Sequence, residues 1–199
     1  MARESIEPTI LKSLLEEMIK EVFGFSECQS IAVRLNKNGD FPYYLQIGFP
    51  EFFLLKENSL NVRDKRGKLV LDSDDTPLLE CMCGNILKRR FNPELPYFTR
   101  GGTFWTNSTT QLLNSLTEKE RRKIGRTRNT CHNYGYESVA LVPIHANGEV
   151  VGLIQINDPR ENMFTLRKVE KYELMADHIG SIIWNVRELY EKAAHKAHL

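Results

Sequence analysis

The chain has 199 residues, a formal net charge of +1 and 41% hydrophobic residues. This composition excludes an intrinsically disordered chain, and the near-neutral charge gives no general attraction to nucleic acid. Four cysteines are too few for a secreted disulfide scaffold, and no apolar run reaches the roughly 20 residues that cross a bilayer. We therefore expect one cytoplasmic protein with no nucleic-acid partner and no membrane partner.

The first half of the chain predicts a helix, a hairpin and several shorter elements. Apolar residues recur at helical spacing from Ser5 to Phe23. Two segments of alternating polarity, 30–36 and 43–49, flank the turn NKNGD and predict a β-hairpin. The segments that follow predict a short helix over 49–58, two short strands within 58–72, and a turn leading into a helix over 78–90.

The second half begins with a loop over 91–107 that is rich in Pro, Gly and aromatic residues and should end in a short strand. Residues 108–129 predict one polar helix or two short ones. Two apolar strands, 137–144 and 150–158, flank the turn dipeptide Asn-Gly and predict a second hairpin. The chain then predicts one long helix over 164–197, with Thr165 as its N-cap.

Together these elements predict an α+β domain with a central antiparallel sheet flanked by helices and with long N- and C-terminal helices. We divide it into an N-terminal helix (1–25), a core with a pocket (26–164), and a C-terminal signalling helix with its tail (165–199). The apolar stripes of the two terminal helices exceed what one sheet face can bury. A homodimer joined by a helical bundle is therefore expected.

The C-terminal part of the sequence resembles the end of a GAF domain. The family's characteristic positions are filled by Val142-Pro143-Ile144, Gly148-Glu149, Gly152-Leu153 and Phe164-Thr165. Upstream, Cys83-Gly84-Asn85-Ile86 is similar to the turn that opens the pocket helix of that family. The resemblance covers roughly residues 10 to 187. It implies a GAF/PAS-like fold and a sensory module of the kind found in bacterial and archaeal sensor kinases. Such a module binds a small ligand or cofactor and signals through dimeric terminal helices to a partner or an output domain.

Three of the four cysteines lie on irregular segments that should face the expected pocket. Cys81 and Cys83 are two residues apart, about 200° around a helix, so both can face one centre only where the chain turns. Cys83 should be the activated thiol, because a helix N-terminus stabilises a thiolate. Cys131 precedes a predicted strand and should approach Cys83 across the pocket. The alternative is that these cysteines are small buried residues.

The sequence leaves the chemistry of these thiols open. Haem is one interpretation, with His132 as an axial ligand. A zinc or iron–sulfur site built from Cys81, Cys83, Cys131 and His132 is a second. The third is enzymatic, because Cys83 and Cys131 resemble the two catalytic positions of free-methionine-(R)-sulfoxide reductases, which are GAF proteins. In that case the two thiols would form a disulfide as product. The sensory interpretation is preferred to the reductase, and whether the chain is an enzyme stays open.

Two further groups are candidates for ligand binding. Phe104, Trp105 and Asn107 combine large aromatic rings with a polar side chain, as ligand pockets do. Arg126 and Arg128 offer guanidinium groups for a haem propionate or a phosphate. The alternatives are a strand edge followed by a helix cap for the first group, and a solvated helix face for the second.

Overall fold

The computed structural model describes residues 6–196, so the predicted positions Ser5 and 197–199 lie outside the described residues. Within this range the elements are α1 (Ile6–Ser26), β1 (Ser30–Leu35), β2 (Tyr43–Ile47), α2 (Glu51–Glu57), α3 (Cys81–Leu87), β3 (Phe104–Thr106), α4 (Thr109–Ser115), α5 (Glu118–Ile124), α6 (Thr130–Asn133), β4 (Ser138–Ala146), β5 (Glu149–Asp158) and α7 (Leu166–Lys196).

The five strands form one antiparallel sheet in the order β2-β1-β5-β4-β3. The two longest strands, β4 and β5, form a hairpin whose turn contains Asn147 and Gly148, with φ of 48° and 81°. Two consecutive residues of positive φ are typical of a type I′ turn. The predicted α+β fold with a central antiparallel sheet is confirmed.

Side chains alternate between the two faces of the sheet, and each face has its own core. The first face packs against α1 and α7. Its strand residues are aliphatic: Ile31, Val33, Leu35, Ala140, Val142, Ile144, Ile154 and Ile156. The opposite face packs against α2 to α6 and the loops between them. Its strand residues are Ala32, Phe104, Val139, Leu141 and Leu153.

The terminal helices α1 and α7 cover the first face and contact each other. At Gly180, α7 lies so close to β4 that an added Cβ atom would be 1.8 Å from the carbonyl oxygen of His145. Thr165 caps α7, since its Oγ1 accepts a hydrogen bond of 3.2 Å from the backbone N–H of Lys168. Among the described residues, no helix is both long and apolar enough to cross a membrane.

The segment between α2 and α3 differs from its prediction. Instead of two strands, it forms a chain of single bridges, Asn61 to Leu79, Arg63 to Leu69 and Leu71 to Pro77. These bridges lie outside the five-stranded sheet, so the alternating sequence pattern here reflects a compact loop that folds back on itself. The polar region 108–129 does form two short helices, as one of the alternatives predicted, and the short helix α6 was not predicted.

Candidate functional site

A pocket of about 310 Å³ lies between the sheet and the helices of the second face. We call it the thiol pocket. Strands β3, β4 and β5 form its floor, α3 and the end of α2 one wall, and α4 to α6 the rest. Its main lining residues are Glu57, Cys81, Cys83, Phe104, Thr109, Leu112, Leu116, Thr130, Cys131, His132, Val139, Leu141 and Gln155.

The three predicted thiols all line this pocket. Cys81 and Cys83 both lie in the first turn of α3, which would normally separate their side chains. Cys81 has a φ of +66°, however, so the chain turns there before the helix continues. The turn required by the sequence argument is therefore present. All four cysteines are free.

Burial opposes the predicted activation of Cys83. Burial raises the pKa of the Cys83 thiol, and it also raises the pKa of Cys131, to about 12. Burial raises the pKa of Cys81 as well, although a hydrogen bond of 3.1 Å from the backbone N–H of Arg128 to its Sγ opposes this. Near neutral pH these groups are thiols, and the thiolate is the form that attacks a substrate or ligates a metal. The thiol-dependent reductase alternative is therefore not favoured.

One side of the thiol pocket is closed by a segment that we call the lid, residues 117–129, comprising α5 and the loop after it. The lid is fastened to α3 by backbone and side-chain hydrogen bonds. The N–H of Cys81 donates to the carbonyl oxygen of Arg126 at 2.9 Å, and the amide Nδ2 of Asn85 donates to the carbonyl oxygen of Ile124 at 2.8 Å. Two arginines of the lid, Arg126 and Arg128, also pair with carboxylates of the wall. Apart from these polar contacts the lid is loosely held, since none of the α5 residues is buried.

Several polar residues of the pocket wall were not predicted. Glu57 is only 6% exposed, and its Oε2 lies 3.2 Å from Nη2 of Arg128. Thr130 is 3% exposed. Gln155 lies on β5 and donates from Nε2 to the Sγ of Cys131 at 3.6 Å. Of these three residues, only Gln155 could have been found from the sequence, because it is a polar residue within the apolar strand VVGLIQIND.

Behind this wall lies Arg34, which is fully buried on β1. Its guanidinium donates to the carbonyl oxygens of Phe41 at 2.8 Å and Glu57 at 2.6 Å. It also stacks on the ring of Tyr43, at 3.6 Å from the ring centroid. Carbonyl dipoles and a π face thus stabilise this charge. Arg34 fixes the end of α2, and with it the position of Glu57.

The aromatic and amide candidates divide between two sites. Phe104 lines the thiol pocket, but Trp105 and Asn107 line a separate, more open groove. Successive residues of a strand point to opposite faces, so Phe104 and Trp105 cannot share one pocket. The side chain of Asn107 is used structurally, because its amide forms hydrogen bonds of 2.8 and 2.9 Å with the backbone of Phe164.

The predicted anion clamp of Arg126 and Arg128 is also not formed. Arg126 pairs with Glu80 at 2.9 Å. Arg128 pairs with Glu57 and Glu80 and donates to the carbonyl oxygen of Ser59. Neither guanidinium lines the thiol pocket. The sequence could not show that the buried carboxylates of Glu57 and Glu80 already pair with these two guanidinium groups.

Neither a metal centre nor haem fits these residues. Cys81, Cys83, Cys131 and His132 line one pocket, yet within residues 6–196 no three His, Cys, Asp or Glu side chains are grouped so that they could hold a metal ion. For haem, the arginines predicted for its propionates are engaged elsewhere. The Nδ1 of His132 is within 3.1 Å of the Thr109 hydroxyl, and 310 Å³ is at the lower end of the range for ligand pockets.

Comparison with known protein families gives one decisive result. The model of the GAF domain family matches residues 11–183. The chain belongs to the GAF domain family. No curated protein matches the sequence significantly.

Several solved structures share this fold at low sequence identity. The PixJ GAF domain of Thermosynechococcus elongatus superposes with a TM-score of 0.61 and 12% identity, covering 96% of this chain and 95% of its own. A sensor histidine kinase domain of Sinorhizobium meliloti gives 0.57 and 10%, covering 92% and 97%. The type II free methionine-R-sulfoxide reductase of Thermoplasma acidophilum gives 0.54 and 11%, covering 90% and 96%. At these identities the likeness shows the fold alone.

Proposed function

We propose that this GAF domain is a sensory module that binds a small organic ligand in the thiol pocket and reports its presence through the terminal helices. The observation that carries the proposal is the pocket itself. It lies between the sheet and the overlying helices, it is mostly apolar, and it has a few buried polar groups. Ligand sites have this composition, with apolar area for affinity and a few polar atoms for orientation.

In this proposal the uncharged, polarisable thiols form part of the pocket wall. Buried thiols behave as small apolar groups with weak hydrogen-bonding capacity, which agrees with the raised pKa values of Cys83 and Cys131. Of the site residues predicted from the sequence, we retain five as ligand contacts: Cys81, Cys83, Phe104, Cys131 and His132. Free thiols also suit the reducing cytoplasm, where we expect the protein to act.

Entry of the ligand would require the lid to open. A lid with few buried contacts is expected to open at low free energy, on a microsecond-to-second timescale. Its attachment to α3 means that lid position and the position of Cys81 change together. We propose that the ligand shifts the population between two arrangements of lid and α3, and that the sheet transmits this shift to α7.

The terminal helices would report the shift in a homodimer. Both carry exposed apolar side chains, with Ile10 and Leu14 on α1 and Leu174 and Leu189 on α7. Sedimentation of the full chain should therefore give twice the monomer mass of 23.1 kDa. The double substitution Leu174→Glu and Leu189→Glu should give monomers, since both side chains are more than 60% exposed and their loss would leave the fold intact.

Ligand binding can be tested by filling the pocket. A Leu116→Trp variant places an indole ring in the pocket wall, whereas Leu55→Trp places the same ring at an exposed position of α2. In ligand-observed NMR with a library of small metabolites, compounds bound by the wild type should be lost with Leu116→Trp and kept with Leu55→Trp. Equal binding by both variants would place the ligand elsewhere and contradict the proposal.

A further inference from the structure

Glu57 has an unusual environment for a carboxylate in a pocket wall. It is the last residue of α2 and is nine-tenths buried. Its Oε2 pairs with Arg128 at 3.2 Å. Its Oε1 is shielded from solvent and has no hydrogen-bond partner among the residues that the structure describes. A buried acceptor without a partner is costly, because it has lost its hydrogen bonds to water, so such a group calls for a structural or functional explanation.

A second polar group of the same wall has the same property. The hydroxyl of Thr130, at the start of α6, is buried and has no partner among the described residues. Thr130 and Glu57 both line the thiol pocket. The wall of the pocket thus contains a buried carboxylate oxygen and a buried hydroxyl, neither of which has a hydrogen-bond partner among the described residues. A ligand with a strong donor group would satisfy them.

The charges around the wall indicate which donor fits. The negative charge of Glu57 contributes to the raised pKa of Cys81, Cys83 and Cys131, so its potential reaches all three thiols. Arg34 opposes it at Cys83 and Cys131. However, Arg34 does not line the pocket, and backbone carbonyls accept its hydrogen bonds. Arg121 does line the pocket, but it is exposed and donates to the carbonyl oxygen of Leu113. A ligand beside Glu57 therefore meets its carboxylate and not the guanidinium of Arg34.

We propose that the thiol pocket selects a small primary amine with an apolar body. Its ammonium group donates to Oε1 of Glu57 and to the hydroxyl oxygen of Thr130, and its hydrocarbon part packs against Leu112, Leu116, Val139 and Leu141. A charge-assisted hydrogen bond is stronger than a neutral one, so the ammonium is favoured over a hydroxyl of the same size. This inference rests on the proposed function, because it requires that the pocket binds a ligand.

Three isosteric probes test the selectivity: 3-methylbutylamine, 3-methylbutanol and 3-methylbutanoate. Each is titrated into the full chain, and binding is followed by the methyl chemical shifts of Leu116 and Leu141. The amine should bind at least tenfold more tightly than the alcohol, and the acid should bind most weakly. This comparison uses only the wild-type protein, so it does not depend on the folding of a variant.

A pair of matched variants then assigns the selectivity to Glu57. Glu57→Gln removes the carboxylate that lines the pocket. Glu80→Gln is the control, because Glu80 also pairs with Arg128 but does not line the pocket. The amine preference should disappear in the first variant and persist in the second. A preference that survives Glu57→Gln, or disappears equally in both variants, would overturn the assignment.

The outcomes also separate this inference from the proposed function. Binding of the alcohol that is lost with Leu116→Trp, with the amine no tighter, would refute amine selectivity and leave the thiol pocket as a ligand site. Failure of all three probes to bind at millimolar concentration would count against both.

Discussion

The two faces of the sheet are formed by the same strands but bury different kinds of side chain. The face under α1 and α7 is a continuous aliphatic core, with Ile31 and Ile154 among its fully buried residues. The opposite face buries Arg34 and Gln155 at the corresponding alternate positions of β1 and β5, next to the thiol pocket. The first face is built for dense packing. The second holds polar groups in fixed places, and this is what a selective binding site requires.

The largest expected effect comes from the polar face. Arg34→Met should lower the free energy of unfolding by about 4 kcal/mol, because the carbonyl oxygens of Phe41 and Glu57 would be left buried without their donor. Urea denaturation measures this. Ile31→Val on the aliphatic face is the control and should cost about 1 kcal/mol. Equal losses for the two variants would show that the polar network contributes little.

The second largest loss of stability is expected on the aliphatic face, from overpacking at Gly180. Gly180→Ala should destabilise the protein by about 3 kcal/mol, since its Cβ would collide with the backbone of His145. Gly24→Ala in α1 is the matched control, because no described atom outside the adjoining helix backbone lies within 4 Å of the added Cβ. It should stabilise the protein by about 0.5–1 kcal/mol through helix propensity. A neutral Gly180→Ala variant, measured by the same denaturation, would contradict the close approach of α7 to β4.

The polar face should also make stability depend on alkaline pH. The Cys131 thiol has a pKa of about 12 in the folded protein against 9.0 when unperturbed. Between these values the unfolded chain loses a proton that the native state keeps, so stability falls as pH rises. The contribution of one such group approaches about 1.4 kcal/mol per pH unit. Urea unfolding at pH 8 to 11 should therefore show a steeper decline for the wild type than for Cys131→Ala. Parallel curves would show that Cys131 does not cause the loss of stability at alkaline pH.

The smallest effect should distinguish two arginines of the lid. Arg128→Gln removes pairs with the buried Glu57 and Glu80, whereas Arg126→Gln removes a pair in which the arginine is 70% exposed. Exposed ion pairs contribute little. Alkylation of Cys83 by iodoacetamide, followed by mass spectrometry, should become several-fold faster with Arg128→Gln and change little with Arg126→Gln. The reverse order would assign the fastening of the lid to Arg126.

The sequence predicted the fold well because local patterns and tertiary packing agree in most elements. Both hairpins, the short strand at Phe104 and the Thr165 cap of α7 follow from alternation and turn chemistry. So does the cap of α4, where the Oγ of Ser108 accepts a hydrogen bond from the N–H of Gln111. The segment after α2 was predicted incorrectly, because short alternating stretches satisfy both strands and bridged loops.

The site was predicted in part. Convergence of Cys81, Cys83 and Cys131 followed from the resemblance to GAF domains, but their protonation did not, since the pKa of a thiol depends on burial that one sequence cannot show. The partners of Arg126 and Arg128 come from distant parts of the chain, and no spacing rule identifies them. Glu57 carried no signal, because its burial depends on Arg34, more than twenty residues earlier.

The contact at Gly180 also determines how far a small change in the sheet would be carried. Lys196 is 16 residues beyond Gly180, which is about 24 Å along a straight helix. With α7 pivoting where it touches His145, a tilt of about 5° would move the far end of the helix by about 2 Å. Such a pivot would convert a small displacement of β4 at His145 into a larger one at the C-terminal end of α7.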